Sequence, residues 1–248
     1  MIAFLRNWLR SSPIYAFNQV LRDRWIRMQA ASVPAGARVL DVGAGSCPYR
    51  ADFAHCDYRS QDFSGLRGDQ LRHGDYGQID YICDATDIPV ADASIDVVLC
   101  TEMLEHVAYP ERVIKEFARI LKPGGKLILT APLGSGLHQE PYHYYGGFTP
   151  FWYRKFLGEA GFTDILAEPN GNFFAFFSQE VIRFMRLSSP LRLPLLIGLL
   201  WLPFWLLLLP ILGMLMPPIA IVLDRHDKEQ RFTVGYHVTA RRTTTQHA

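Results

Sequence analysis

The 248-residue chain lacks paired cysteines, lacks an excess of either charge and lacks internal repeats. Cys47, Cys56, Cys83 and Cys100 stand singly with no CxxC pair, which excludes a disulfide framework and points to reduced thiols. Lys and Arg number 25 against 24 Asp and Glu, so the formal net charge is +1. That balance excludes a strongly basic nucleic-acid binder and an acidic-tail protein. Charged residues are scarce, at 20% against 49% hydrophobic, which excludes intrinsic disorder for most of the chain. The N-terminus has no uninterrupted apolar core, so a secretory signal is not expected. The scarcity of charge is most extreme in one place. From Leu193 to Leu223 run 31 residues without a single charged side chain. Mean hydropathy is accordingly slightly positive, at +0.05.

What is present falls into segments. Residues 1–30 carry Arg6, Arg10, Arg22, Arg24 and Arg27 against Asp23, with Ile2, Leu5, Trp8 and Leu9 at helical spacing. Such a basic amphipathic helix either lies in a membrane interface or packs its stripe on the domain. From Ala37 to about Gly161 β-rich runs alternate with helical ones. Strands are expected at Arg38–Val42, Asp57–Asp62, Gln78–Cys83, Ile95–Cys100, Lys126–Ala131 and Phe162–Ala167. Pro110 opens a helix whose stripe is Val113, Ile114, Phe117, Ile120 and Leu121, and Lys122-Pro123-Gly124-Gly125 stops it. Thr149 caps another that ends at Gly161. Arg231–Arg242 alternates with period two, a further strand. The pattern predicts an α/β fold with a doubly wound, mostly parallel seven-stranded sheet.

Val39-Leu40-Asp41-Val42-Gly43-Ala44-Gly45 delivers an acid on a strand and turns through two glycines, where a ligand can approach the backbone. A dinucleotide-binding GxGxxG would need a third glycine where Pro48 stands. Asp41 would repel a pyrophosphate and attract an ammonium group. This segment resembles the first motif of the class I S-adenosylmethionine-dependent methyltransferases, type 11-like, except that Cys47 stands where that family often has a third Gly. Asp62, 21 residues after Asp41, resembles the family's ribose-binding acid, and Asp84-Ala85 its adenine contact. Ile88-Pro89 with Ile95–Val98, Arg119–Gly125 and Ala160-Gly161-Phe162 resemble its entries into strands four, five and six. The resemblance covers about 37–170 plus 231–242. It implies the Rossmann-like methyltransferase fold and S-adenosyl-L-methionine as cofactor. Asp41, Gly43, Gly45, Asp62, Asp84, Ala85 and Thr101 would bind it.

Methyl transfer needs an aligned nucleophile and often a base. Glu102, Glu105 and His106 follow the fourth strand at i, i+3 and i+4, one face if the segment is helical. Such a set can hold a divalent ion. The arrangement is similar to that of magnesium-dependent O-methyltransferases of quinone precursors and small-RNA 2′-hydroxyls. His143 is the first candidate to complete an Mg2+ site, and His138 the second. Alternatively His143 or His138 acts as a metal-free general base, or His106 only bonds locally. The loop Gly134–Gly147, with its tyrosines, forms either part of the acceptor pocket or packing.

The apolar run would span about 46 Å as one straight helix. Pro194, Pro203, Pro210, Pro217 and Pro218 are expected to break it into two limbs of about ten residues that dip in and return, since the strand at 231–242 must rejoin the sheet. Arg183, Arg186, Arg192, Arg225 and Lys228 place both ends on the cytoplasmic side. The expected organisation is an amphipathic segment at 1–36, a methyltransferase-like domain at 37–182 and 224–242, a membrane-associating insertion at 183–223 and a tail at 243–248. The expected function is methylation of an oxygen on a hydrophobic or lipid-linked acceptor at the cytoplasmic membrane face. The expected partners are that acceptor and membrane lipid, with no nucleic acid. Two alternatives stand: a membrane-attached cofactor-binding module without turnover, and a soluble homodimer that uses the run as its interface.

Overall fold

The computed structural model describes residues 11–244. The stripe at Ile2–Leu9 and the tail beyond Thr244 lie outside the described residues. The described residues divide into two units, one of 22–168 with 235–244, the other of 11–21 with 169–234. The expected boundaries at 183 and 223 both fall inside helices. The apolar segment instead begins at Pro169, because the helix before the run packs along it.

The first unit is built on a seven-stranded sheet. Its strands are β1 (Arg38–Val42), β2 (Asp57–Asp62), β3 (Tyr81–Ile82), β4 (Ile95–Thr101), β5 (Leu121–Pro132), β6 (Phe162–Pro169) and β7 (Gly235–Arg242). Their order is β3-β2-β1-β4-β5-β7-β6. β1 pairs parallel with β2 and β4, β4 with β5, and β2 with β3, while β7 runs antiparallel to β5 with Leu129 opposite Val238. The doubly wound expectation is met.

The apolar strands are explained by cover on both faces. Leu40, Val42, Val98, Cys100, Leu127 and Leu129 join one core with α2 (Pro110–Ile120) and α3 (Pro150–Glu159). Val39, Val97, Leu99 and Ile128 point the other way, into a core with Trp25 and Ile26 of α1 (Phe17–Ala31). α2 stops at Ile120 as expected, but Lys122–Gly125 lies within β5. There the ladder steps from Ile95↔Leu121 directly to Val97↔Lys126, so those four residues bulge out of register. Thr149 accepts the Trp152 N–H at 3.2 Å and caps α3. β3 is shorter than expected: Asp80 still donates its N–H to the Ser60 carbonyl at 3.0 Å, but the Ser60 N–H goes to the Asp80 carboxylate at 2.9 Å, so regular pairing is left to Tyr81 and Ile82.

In the second unit α4 (Phe173–Leu187) leads through a turn to α5 (Leu195–Leu208). A π-helical stretch, Leu209–Leu215, joins α5 to α6 (Met216–Asp224). The two expected limbs are therefore corrected to one continuous helix, Leu195–Asp224. The π turn carries Pro210, and Pro217 and Pro218 open α6, so these missing N–H groups fall where the α ladder is relaxed or restarting, whereas Pro203 sits inside α5. α4 makes the antiparallel return that the limbs were expected to provide.

Candidate functional site

At the end of β1 the backbone of Gly43 takes φ +72, and a Cβ there would meet Met103 Cγ at 2.4 Å. Glycine is required on both counts. The N–H groups of Gly43 and Ala44 both donate to the Gln61 carbonyl at 3.0 Å. Asp62 fixes the rest of the turn. Its carboxylate accepts the Gly45 N–H at 2.9 Å and the Ser64 N–H at 2.9 Å. Cys47, at the position of the family's third Gly, keeps a left-handed φ of 49. Asp84 accepts from the N–H and hydroxyl of Thr86 at 2.8 and 2.7 Å, which fixes the turn after β3.

These turns open on a cavity of about 300 Å3 lined by Gly43, Gln61, Phe63, Asp84, Ala85 and Met103, with His106 and Tyr142 across it. Larger depressions of about 790 and 650 Å3 lie at Lys122–Lys126 and around Arg50–Arg59. The smaller cavity is the candidate, because it is where the glycine turn and the strand-end acids converge at the carboxyl ends of the strands. Of the expected cofactor residues, Gly43, Asp84 and Ala85 line it. Asp62 and Gly45 hold its glycine turn. Asp41 lies beneath, 1% exposed. Thr101 is the last residue of β4, paired with Thr130. Sequence reasoning missed Gln61, whose side chain also reaches the Cys83 carbonyl at 2.6 Å and so ties β2 to the segment after β3. Its only signal was adjacency to Asp62.

The expectation that Glu102, Glu105 and His106 share a helix face is corrected. β4 continues to Thr101, Glu102 donates its N–H to the Thr130 carbonyl and takes φ +49, and Leu104–His106 is one 3-10 turn. Glu102 is held by Arg22 at 3.0 Å and by the Thr130 hydroxyl at 2.9 Å. Glu105 is buried, with Oε2 unpartnered. Burial and the neighbouring Glu102 push its carboxyl well above the usual range.

His106, His138 and His143 form one ring cluster, with centroids 4.7 to 5.6 Å apart. His106 Nδ1 lies 2.7 Å from the Tyr142 carbonyl. A carbonyl only accepts, so the proton sits on Nδ1 and Nε2 keeps its lone pair. Burial lowers the His106 pKa to about 4, against the opposing Tyr142 bond. Burial and then His138 lower that of His143. His138 Nδ1 faces the Gly136 carbonyl at 2.9 Å, and His143 Nε2 faces the Ser135 hydroxyl at 3.0 Å.

The donor atoms that converge within 4.8 Å are those of Glu105, His106 and His138. The expected ligand set is thus altered: Arg22 and Thr130 occupy Glu102, and His138 rather than His143 completes the group. Two imidazoles and one orphaned carboxyl oxygen fit a borderline divalent ion better than Mg2+, which prefers oxygen donors.

Residues 40–129 match a family described as "Methyltransferase domain". A ubiquinone biosynthesis O-methyltransferase of Xanthomonas axonopodis pv. citri is 37% identical over 127 residues, 48% of this chain and 51% of that protein. A demethylmenaquinone methyltransferase of Paenarthrobacter aurescens is 33% identical over 143 residues, 52% of this chain and 54% of that protein. The chain spans about half the length of these curated relatives. Among solved structures, a phosphoethanolamine N-methyltransferase 2 of Haemonchus contortus in complex with S-adenosyl-L-methionine aligns with TM-score 0.52 and 16% identity, over 97% of this chain and 60% of that one. The [4+2]-cyclase SpnF aligns with TM-score 0.51 and 19% identity, over 89% and 80%. At such identities the likeness is one of fold, and the cyclase illustrates that the fold also hosts other chemistry.

Proposed function

We propose that this chain, whose residues 40–129 match a methyltransferase domain, transfers the methyl group of S-adenosylmethionine to an oxygen of a hydrophobic, quinone-like or lipid-linked acceptor. The observation that carries the reading is the cavity lined by Gly43, Gln61, Asp84 and Ala85, with His106 on its wall and His138 and His143 in ring contact with His106. The cofactor supplies a methyl carbon made electrophilic by its sulfonium. The Gly43 turn admits it to the backbone, Asp62 and Asp84 offer acceptors for its ribose and base, and Asp41 offers an anion to its ammonium group. Phe63 and Tyr142, in edge contact at 5.0 Å, wall the cavity against water. His143 or His138, in ring contact with the cavity-lining His106, would take the proton of the acceptor hydroxyl, and the cofactor, when bound, would supply the methyl group.

The quinone class draws support from the names of the relatives and from the imidazoles of His106 and His143, which burial biases toward the neutral form that suits a phenolic hydroxyl. A divalent ion, where bound, would be held by Glu105, His106 and His138 and would supply Lewis acidity toward acceptor oxygens. The localisation proposed is the cytoplasmic membrane face, on the apolar helix Leu195–Asp224.

Calorimetry with S-adenosylmethionine in mild detergent, with NAD as control, tests the cofactor. Binding that weakens on the order of tenfold or more in Asp62→Ala is expected. Transfer of radiolabelled methyl into membrane lipid extract tests the acceptor. Cofactor binding with no product from any extract would favour a binding module without turnover.

A further inference from the structure

The second unit contains a two-helix hairpin with a polarity pattern of its own. Its base is closed by acids. Asp224, at the end of α6, accepts the N–H groups of Asn172 and Ala175 at 2.9 and 2.7 Å, and Asp227 accepts that of Phe173 at 3.1 Å. Two carboxylates thus satisfy the open N-terminus of α4, whose N-cap Asn172 makes no side-chain cap bond. At the other end Trp201 and Trp205 donate their indole N–H groups to the carbonyls of Ser188 and Met185, at 2.8 and 3.1 Å. Gly198 lets the long helix touch the turn, where a Cβ would meet the Pro190 carbonyl oxygen at 2.6 Å. The polar groups of the hairpin are therefore largely satisfied within it.

Its surface is not. In the most apolar window of Leu195–Asp224 only 11% of residues are buried. Leu195, Leu196, Ile197, Leu199, Leu200, Phe204 and Leu207 are each more than half exposed. At 3.6 residues per turn they cover roughly 200° of the helix circumference, the side away from α4 and the turn. A second copy of the chain meets one stripe of a helix, whereas acyl chains meet every side. α4 divides lengthwise. Gln179, Glu180, Arg183 and Arg186 share one face, and Phe173, Phe177 and Phe184, each 39–48% exposed, lie beside it. Arg192 stands at the tip next to Leu191, which is 97% exposed. Crossing tip-first would carry Glu180, Arg183 and Arg186 into hydrocarbon. Lying flat leaves them at the headgroups.

We propose that this hairpin lies in the plane of one leaflet of an anionic bilayer, with the long helix among the acyl chains and Arg183, Arg186 and Arg192 on lipid phosphates. The inference deepens the membrane localisation proposed above and rests on it. The charged side chains of α4 and the turn are Glu180, Arg183, Arg186 and Arg192, a net positive set that complements such a surface.

The test uses the full chain, diluted from mild detergent onto preformed vesicles of phosphatidylcholine with about a third phosphatidylglycerol. An impermeant maleimide is added outside, and labelling is read peptide by peptide in Arg192→Cys and Leu200→Cys. Both sites are expected to react without vesicles. With vesicles, Leu200→Cys is expected to become protected while Arg192→Cys still reacts. Protection of both would overturn the in-plane arrangement in favour of a crossing. Reaction at both, with the chain sedimenting as a dimer free of vesicles, would overturn lipid as the occupant. The triple variant Arg183→Gln, Arg186→Gln, Arg192→Gln is expected to lose on the order of tenfold or more in partitioning to anionic vesicles, with little change on pure phosphatidylcholine. Equal loss on both would remove the headgroup contact. S-adenosylmethionine binding is measured in the same samples, so intact cofactor binding without vesicle binding sinks this inference and leaves the methyltransferase reading standing.

Discussion

The phenol of Tyr58 donates to Asp41 Oδ2 at 2.5 Å, while Oδ1 of the same buried carboxylate has no hydrogen-bond partner. Tyr58 sits on β2 opposite Val39, and Asp41 lies two residues further along β1, so the bond crosses the ladder beneath the glycine turn. Burial pushes the Asp41 carboxyl up to about 7, with Tyr58 opposing and Asp62 adding to the shift. In the function proposed above, that free oxygen is the one offered to the ammonium group of the cofactor.

The folded Asp41 pKa is raised above its unfolded value, so the folded state holds the proton more tightly. Between about pH 4 and 7 stability then falls as pH rises, and above 7 it levels off. Asp41→Asn should remove up to about 4 kcal/mol of that fall. Urea unfolding of both proteins at pH 5 and pH 7.5 measures it, and parallel pH dependences would refute the assignment. S-adenosylmethionine binding to the parent protein should tighten from pH 6 to 8, and this dependence should vanish in the variant.

Gly43→Ala should cost at least about 1–2 kcal/mol from the left-handed backbone alone. The approach of Met103 to 2.4 Å adds to that. Adding Met103→Ala should relieve the collision and leave the backbone cost. Thermal unfolding of the single and double variants separates the two contributions. Full recovery in the double variant would show that the dihedral costs nothing.

Arg22 and Glu102 join α1 to the end of β4 at 3.0 Å, with side chains 15% and 31% exposed. Burial opposes the charge on Arg22, but Glu102 and Tyr49 outweigh it and hold the guanidinium above its ordinary value. Arg22→Met should destabilise by about 2–3 kcal/mol, less than for a fully buried pair because water reaches Glu102. The double variant with Glu102→Gln should recover part of the loss. Strictly additive effects in denaturant titrations would count against the coupling.

Zn2+ or Mn2+ should raise the melting temperature more than Mg2+ does, because the converging donors are two imidazoles and one carboxyl. His138→Ala should abolish the rise, and Glu102→Gln should keep most of it. An Mg2+ response that depends on Glu102 would restore the ligand set expected from the sequence.

Much of the site was legible in the chain because it rests on local geometry. A strand ending in Asp41 and two glycines, and Asp62 closing the next strand, are short-range patterns whose backbone demands can be read residue by residue. The Glu102–His106 segment was misread for the opposite reason. Its i, i+3, i+4 spacing suits a helix, but the Glu102 N–H is claimed by Thr130, 28 positions away, and the chain turns through a left-handed residue instead. The prolines of the apolar run likewise read as breaks, since their cost is local, whereas the structure absorbs Pro210 in a π turn.

By itself, then, the sequence determined the alternation of elements, the glycine turn and the uncharged run, because periodicity and backbone sterics act over a few residues. Only the tertiary structure decided which histidine meets Glu105, that Arg22 neutralises Glu102, and that α4 accompanies the long helix back to its base. Those choices depend on which distant groups reach one another once the strands are in register, and pairing across the fold leaves no mark in local spacing.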